Sequence, residues 1–440
     1  MPAPDSPPMI VARFLRANHY NDVPEAGLSQ DAGTVEKGDL TIEKILEEKK
    51  VFDLTLRFEK TGLQTGEKWT LPAPSSPYQI STLPSASNLL HVSVQDFHDE
   101  TPFQLLLAST ADRKLHLIST DTTFSIYKSL SFLQDSPILS CISFGRSGLK
   151  TITTGMSGQV ILYDHEIDKV LDERRDHSKY VVKVATWNGI VVTAGWDKKV
   201  FIYHASGDFL SLGSPVAATT LSTNPETITF VEHPDSDRPI LLVTRQDSTL
   251  LYYYSLELKL LGSQNLAPHS NSWITFTPSS IAVNPKDPTL LAVATSAVPH
   301  MKVIIVRLLL PPLRESPANI ASPATQAAQT RSNLAIQDRE EAAIQIHVST
   351  MAPQTPYSTP QVVWRPHGTG VFVNGDDGVI RGLETKTGKI VSTLQGGHEV
   401  GSKIRSIWCG LIGVEGGKDE WLVSGGFDRR LVVWTQEKQK

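Results

Sequence analysis

The sequence has little cysteine and no large excess of charge of either sign. Its 440 residues include two cysteines, Cys141 and Cys409, which excludes a disulfide framework and any zinc site made of cysteines alone. We interpret both as buried thiols in a reducing compartment. Lysine and arginine total 41 and aspartate and glutamate 46, so the net charge of -5 gives no strong nucleic-acid signal.

Targeting and membrane-spanning segments are missing as well. No uninterrupted apolar segment reaches the roughly 18 residues that a membrane span needs. The N-terminal stretch MPAPDSPPMIVARFL lacks the basic start and the long apolar run of a signal peptide. Together with a hydrophobic content of 40%, these absences predict a folded protein of the cytoplasm, the nucleus or both.

Catalytic motifs are also lacking. The sequence contains no GxxxxGK[ST] phosphate loop and no HExxH metal motif, and its 13 histidines are scattered. We therefore predict no enzymatic activity, no cofactor and no metal site.

What the sequence does contain is an internal repeat. Two short apolar segments flank a tight turn in SGGFDRRLVVW at 424–434, and the same pattern occurs in TAGWDKKVFIY at 193–203. Small or β-branched residues precede the turn, which holds Gly, Asp or Ser, so each copy is predicted to be a strand–turn–strand unit. Further copies in the same register begin at Ala108, Thr153, Val243 and Val373, and a seventh copy, with a longer turn, spans 293–306.

The spacing of these copies predicts the architecture. Most of the turns are separated by 40 to 51 residues, close to the period of about 40–50 residues that is typical of four-stranded propeller blades. One longer interval contains residues 311–343, which are rich in Pro, Ala, Ser, Thr and Gln and are predicted to be a flexible insertion. The sequence thus predicts an all-β, seven-bladed propeller over residues 63–440.

Two of the blades resemble WD repeats. In blade seven, Gly397 and His398 begin the blade and Trp434 ends its third strand, as in that family. The resemblance implies a buried network in which His bonds to Asp and to a hydroxyl, and the hydroxyl bonds to the aromatic ring at the strand end. The residues matching these positions are His177, Thr193, Asp197 and Tyr203 in blade three, and His398, Ser424, Asp428 and Trp434 in blade seven.

The resemblance also implies how the ring closes. WD-repeat propellers usually pair an early strand with the last three strands. Blade seven has three strands of its own, so we predict that GEKWTLPAP, at 66–74, supplies the fourth.

The N-terminal residues 1–38 resemble the LisH motif, a dimerising pair of helices. Phe14, Leu15 and Tyr20 match its apolar and aromatic positions, which implies a homodimer formed through these helices. Pro24 and Gly27 depart from the motif, and the alternative is an amphipathic arm that packs on the propeller.

Residues 39–62 are predicted to form a linking helix. Asp39 or Thr41 can cap its start, and Gly62 follows its end. Its broad apolar stripe needs a partner, which is the propeller, a second copy or another protein.

Candidate binding residues lie in the repeat turns, on the propeller face usually called the top. Side chains just before the turn Asp are predicted to ring the central channel and to bind a partner: Met156, Trp196, Gln246 and Phe427. Basic pairs just after it are predicted to favour an acidic peptide: Arg113-Lys114, Lys198-Lys199 and Arg429-Arg430. The alternatives are inter-blade packing for the first set and ordinary solvated turns for the second.

The predicted function is a non-enzymatic scaffold or adaptor subunit that binds partner proteins on the propeller face. Proteins that resemble a LisH motif followed by WD repeats serve ubiquitin-ligase, transcription, chromatin and microtubule-motor assemblies, and the sequence does not choose among them. A phosphoinositide-binding propeller is an alternative, because residues 427–430 resemble the Phe-Arg-Arg-Gly motif, with Asp428 interrupting it. A hydrolase using His398 is a further alternative, since the His–Asp–Ser set resembles a catalytic triad in composition.

Overall fold

The computed structural model describes residues 68–436, except for positions 85, 99–101, 146–147, 235, 269–275, 312–325 and 415–416. The LisH-like motif at 1–38 and the linking helix at 39–62 lie outside the described residues. Within the described residues, the strands form seven four-stranded antiparallel sheets arranged as the blades of a propeller. The prediction of an all-β, seven-bladed propeller is therefore confirmed.

The strands of the first four blades follow one another along the chain after β1 (Ser76–Ile80). Blade 1 contains β2 (Leu89–His98), β3 (Pro102–Thr110), β4 (Leu115–Ser119) and β5 (Ile126–Leu130). Blade 2 contains β6 (Ile138–Phe144), β7 (Lys150–Gly155), β8 (Val160–Asp164) and β9 (Lys169–Arg174). Blade 3 contains β10 (Val181–Trp187), β11 (Ile190–Gly195), β12 (Lys199–His204) and β13 (Ala217–Thr220). Blade 4 contains β14 (Pro225–His233), β15 (Ser236–Arg245), β16 (Leu250–Tyr254) and β17 (Leu260–Asn265).

The remaining blades include one helix, α1 (Gln326–Ala343). Blade 5 contains β18 (Pro278–Val283), β19 (Leu290–Thr295), β20 (His300–Arg307) and β21 (Ile344–Pro353). Blade 6 contains β22 (Val362–Trp364), β23 (Gly370–Val373), β24 (Ile380–Glu384) and β25 (Lys389–Leu394). Blade 7 contains β26 (Ile404–Val414), β27 (Gly417–Gly426) and β28 (Leu431–Thr435), and β1 completes it.

Burial along the strands follows from packing of the blades face to face. Every residue of β8 is buried, and so are five of the six residues of β11, because middle strands are covered on both faces. The outer strand β13 alternates between half-buried and exposed residues. Among the described residues, each apolar cluster joins two consecutive blades, so the core is a ring of layers.

The ring is closed by β1, which pairs antiparallel with β28 from Ser76 opposite Thr435 to Ile80 opposite Leu431. An N-terminal strand therefore completes blade 7, but it lies after the predicted stretch 66–74. The Ser75 backbone N–H donates to the carbonyl oxygen of Thr435 at 2.9 Å, so the pairing begins directly after the predicted stretch.

The segment before β1 is held by a buried ion pair that we call the closure clamp. The Arg365 guanidinium and the Glu420 carboxylate meet through two hydrogen bonds of 2.8 and 2.7 Å, and both side chains are almost fully buried. Arg365 also donates to the carbonyl oxygens of Leu71, at 3.2 Å, and Pro72, at 2.5 Å. Its guanidinium carbon lies 4.6 Å from the centre of the Trp69 ring. The clamp thus fixes residues 69–72 on the face opposite the repeat turns.

Part of the predicted flexible insertion at 311–343 is helical. The segment over α1 lacks Pro and Gly and is rich in Ala, Gln, Glu and Arg, which are strong helix formers. Ala343 is buried between blades 4 and 5, and the Glu340 carboxylate accepts a hydrogen bond from the Asn265 backbone N–H at 2.8 Å. Residues 326–343 of the predicted insertion are therefore helical, because strong helix formers are concentrated in this part of it.

Candidate functional site

The hydrogen-bonded network of blade 7 runs through four side chains. His398 Nδ1 lies 3.0 Å from Asp428 Oδ2, and His398 Nε2 lies 2.8 Å from Ser424 Oγ. Trp434 Nε1 donates to the same Ser424 Oγ at 2.9 Å. Because a carboxylate only accepts, Nδ1 donates to Asp428 and Nε2 accepts the Ser424 proton. Ser424 and Trp434 are fully buried.

Electrostatics hold Asp428 ionised in this network. Burial raises the pKa of the Asp428 carboxyl group, but His398 and the backbone N–H groups of Glu399 and Arg430 outweigh that effect. The net pKa of Asp428 lies below its ordinary value. The carboxylate therefore ties the turn of blade 7 to the segment that precedes β26.

Blade 3 contains a similar but not identical network. His177 Nδ1 lies 3.0 Å from Asp197 Oδ1, and His177 Nε2 lies 2.8 Å from Thr193 Oγ1. The Tyr203 hydroxyl donates to Asp176 Oδ2 at 3.1 Å. Asp176 is also paired with Arg174, at 2.7 Å. Tyr203 thus keeps a hydrogen bond in this region, but its partner is an acid that the sequence analysis did not single out.

The three basic pairs lie in equivalent turns of blades 1, 3 and 7. Their first residues, Arg113, Lys198 and Arg429, have positive φ angles of 67°, 65° and 65°, which the turn geometry requires. Between the turns of blades 1 and 3 lies that of blade 2, where the uncharged pair Gly158-Gln159 stands at the equivalent position.

Most of these cations have local partners. Lys114 pairs with Asp112 at 3.0 Å, and Arg430 pairs with Glu399 at 3.0 Å. Lys198 Nζ donates to the carbonyl oxygen of Ser222 at 3.2 Å, and Lys199 Nζ lies 5.9 Å from the centre of the Phe201 ring. Arg113 donates to the carbonyl oxygen of Asp135 at 3.4 Å. The basic pairs are therefore distributed around the top face rather than gathered in one patch.

The apolar candidates differ in exposure. Met156 and Phe427 are 47% and 41% exposed, which is high for large apolar side chains. Trp196 is half-buried and stacks on Tyr180, with ring centres 4.4 Å apart. Gln246 accepts a hydrogen bond from the Asn224 side chain at 3.1 Å. The top face thus presents exposed apolar side chains together with an aromatic pair.

A recurring β-bulge shapes the inner edge of the blades. In six of the seven innermost strands, as the structure describes them, the pairing register skips one residue near the strand start. The skipped residues are Leu90, Leu139, Val182, Glu226, Ser279 and Arg405. A bulged residue leaves the ladder and re-aims its side chain. Among these six skipped residues, only Glu226 in blade 4 and Arg405 in blade 7 are charged.

Five ionisable side chains lie at or just before the starts of innermost strands, and we call them the axial cluster: His91, Tyr180, Lys183, Glu226 and Arg405. They come from blades 1, 3, 4 and 7, and all are half-buried. Arg405 acts electrostatically on Tyr180, Glu226 and His91, and Lys183 acts on His91.

Burial sets the protonation of the axial cluster. It raises the pKa of Glu226 to about 6, with the Gln246 hydrogen bond and the Arg405 charge acting in the opposite direction. Burial also lowers the pKa values of Lys183 and Arg405. Burial, followed by the positive charge of Lys183, lowers the pKa of His91 to about 3, so His91 is neutral near pH 7.

The sequence analysis missed the axial cluster. The signal in the sequence was a charged residue at the second position of an innermost strand, as at Glu226 and Arg405. Most of the other innermost strands begin with two apolar residues. Gln246, which the sequence analysis predicts to ring the channel, forms a side-chain hydrogen bond with Glu226.

Among the described residues, no group of three or more His, Cys, Asp or Glu side chains is arranged to hold a metal ion. In the same part of the chain, no helix combines the length and apolar character that crossing a membrane requires.

A comparison with models of protein families gives a match. The model of a family described as a beta-propeller domain matches residues 66–435, which include every blade. A comparison with curated proteins gives no match.

Proposed function

The chain belongs to a family of beta-propeller domains, and from this premise we propose that it is a non-enzymatic scaffold or adaptor that holds a partner peptide on its top face. The exposed side chains of Met156 and Phe427 carry this proposal. They belong to turns of the top face, where Trp196 and Tyr180 stack. Exposed apolar and aromatic side chains beside a channel are typical anchors for a protein partner.

The proposal includes the finer family assignment. We assign the blades to the WD-repeat type because blades 3 and 7 contain the His–Asp–hydroxyl sets centred on His177 and His398. Residues 1–38 are assigned to a LisH-like pairing motif on the sequence resemblance alone.

A cytoplasmic or nuclear location is part of the same proposal. Both cysteines are free, and burial raises the pKa of Cys141 to about 12 and that of Cys409 well above its ordinary value. Cys141 is buried as predicted, whereas Cys409 is half-buried, and free, protonated thiols agree with a reducing compartment.

The experiment that tests the scaffold proposal is affinity capture of the full chain followed by mass spectrometry. A Met156→Ser/Phe427→Ser double variant should lose the partners that the unmodified chain retains. The matched control is Ile167→Ser, because Ile167 is also exposed, at 58%, but lies in the β8–β9 turn on the opposite face. Equal retention of all partners by the double variant would contradict the assignment of the top face.

A further inference from the structure

The loop between β21 and β22 contains an exposed Thr-Pro dipeptide. Thr355 and Pro356 are both exposed, and the next side chain, Tyr357, is 87% exposed. In the part of the chain that the structure describes, every other Ser-Pro or Thr-Pro dipeptide has at least one residue that is half-buried or buried: Ser76-Pro77, Ser136-Pro137, Ser214-Pro215, Thr277-Pro278 and Thr359-Pro360. Thr355-Pro356 is therefore the dipeptide of this kind that another protein reaches most readily.

A short turn presents the Thr355 hydroxyl. The Ser358 backbone N–H donates to the Thr355 carbonyl oxygen at 3.0 Å, and the Thr355 backbone N–H donates to Ser358 Oγ at 2.8 Å. Pro356 occupies the second position of this turn, where its fixed φ angle is favourable. Opening these two hydrogen bonds extends the segment, and the proline already favours an extended backbone at Thr355.

A cation lies beside the same hydroxyl. Lys403 Nζ donates to Thr355 Oγ1 at 3.4 Å and lies 3.1 Å from Asp376 Oδ2. The Tyr357 backbone N–H also donates to Thr355 Oγ1, at 3.3 Å. Hydrogen bonds of this length to a hydroxyl oxygen are weak. A phosphate at the same place would accept charge-assisted hydrogen bonds from the same two donors.

We propose that Thr355 is a phosphorylation site for a proline-directed protein kinase and that Lys403 pairs with the phosphate. Thr355 Oγ1 forms a bond to the γ-phosphorus of ATP, the bond from that phosphorus to the bridging oxygen breaks, and ADP leaves. The hydroxyl proton passes to the catalytic carboxylate of the kinase. Pro356 suits such a kinase because proline has no backbone N–H, so none is left unpaired when the segment is bound.

The phosphate would change the charge of the face that we assign to partner binding. The Phe427 backbone N–H donates to the carbonyl oxygen of Lys403 at 2.9 Å, so Lys403 borders one of the exposed apolar side chains of that face. Phosphorylation adds about two negative charges there and draws Lys403 away from Asp376. The inference goes beyond the proposed function and does not depend on it, because the phosphate is detected without any partner.

The test incubates the folded full chain with ATP and a purified mitogen-activated protein kinase, which is proline-directed, and locates the phosphate by mass spectrometry. The matched control within the chain is Thr359, which also precedes a proline. Pro360 is buried, and the Asn374 side chain donates to the Thr359 carbonyl oxygen at 2.9 Å and accepts from the Gln361 N–H at 2.7 Å. Thr355 should be modified faster than Thr359 by about tenfold or more, since a protected segment must open before it enters a kinase.

A synthetic peptide of residues 350–364 provides the reference, because the propeller shields neither threonine in it. The preference for Thr355 over Thr359 should shrink in the peptide. Equal rates for the two threonines in the folded chain would overturn the proposal. No modification of Thr355 in the folded chain would overturn it as well, whatever the peptide shows.

Two variants test the proline and the cation separately. Pro356→Ala keeps the hydroxyl and should slow the modification by about tenfold, since the new N–H is left unpaired in the kinase. In the phosphorylated chain, Lys403→Met should raise the second pKa of the phosphate, followed by phosphorus NMR, because an ammonium group favours the doubly charged form. Lys386→Met is the control, since Lys386 is exposed in the β24–β25 turn on the opposite face. An unchanged rate in Pro356→Ala would refute the kinase class, and equal phosphate pKa values in the two lysine variants would refute the pairing.

Discussion

Breaking the closure clamp should destabilise the whole ring. Glu420→Gln preserves the shape of the side chain but leaves the Arg365 guanidinium without its negative partner. Both side chains are almost fully shielded from solvent, with 0% and 1% exposure. Removing one partner of such a buried pair costs about 3–5 kcal/mol.

A second variant tests the origin of that cost. In Arg365→Met/Glu420→Leu no buried charge remains, and replacing a buried ion pair by apolar groups is often nearly neutral. The carbonyl oxygens of Leu71 and Pro72 lose their donor, which costs about 1–3 kcal/mol for each group that stays buried. We therefore expect the double variant to be less destabilised than Glu420→Gln.

The free energy of unfolding would be measured by urea denaturation followed through tryptophan fluorescence, since Trp69 lies against Arg365. Glu257→Gln is the control, because Glu257 pairs with Arg238 at 3.8 Å on the exposed surface and should give no measurable change. If the free energy of unfolding of Glu420→Gln lies within about 0.5 kcal/mol of that of the unmodified chain, the clamp does not hold the ring and the reasoning is wrong.

Three further outcomes are expected. Asp428→Ala should destabilise the chain by about 1–3 kcal/mol in thermal unfolding, because His398 loses its acceptor in a buried network; unchanged stability would contradict the role of Asp428. Deleting residues 1–38 should lower the mass measured by light scattering if the LisH-like motif pairs two copies, and an unchanged mass would end that hypothesis. His91 has a folded pKa of about 3, below its ordinary 6.5, so the unfolded chain takes up the proton first and stability falls as the pH drops from 6.5 towards 3. His91→Gln should flatten that fall in unfolding temperature, and an identical pH profile would refute the assignment.

The repeat was visible in the sequence because each strand–turn–strand unit is local. The turn before Arg429 requires small or Asp-like residues within a few positions, and the segments Trp421–Val423 and Leu431–Trp434 on either side of it are apolar and buried. The hydrogen bonds of His398 could also be predicted, because the WD-repeat resemblance implies which sequence positions hold its partners.

Other features could not be predicted in this way because they depend on distant contacts. Arg365 is joined to Leu71 across 294 positions of sequence, and Val92 to Ser406 across 314. The bulges that redirect Glu226 and Arg405 add one residue to a strand without breaking its apolar pattern, so periodicity does not detect them. The axial cluster emerges only when separate blades meet around the axis.

The pairing of β1 with β28 has a consequence for synthesis on the ribosome. Residues 76–80 leave the exit tunnel about 350 residues before their partner, 431–435, is made. Until then this strand offers unsatisfied backbone groups to any neighbouring polypeptide, as does the open edge of the growing arc. Protection of this strand by a chaperone during the interval would therefore govern how much of the protein reaches its closed form.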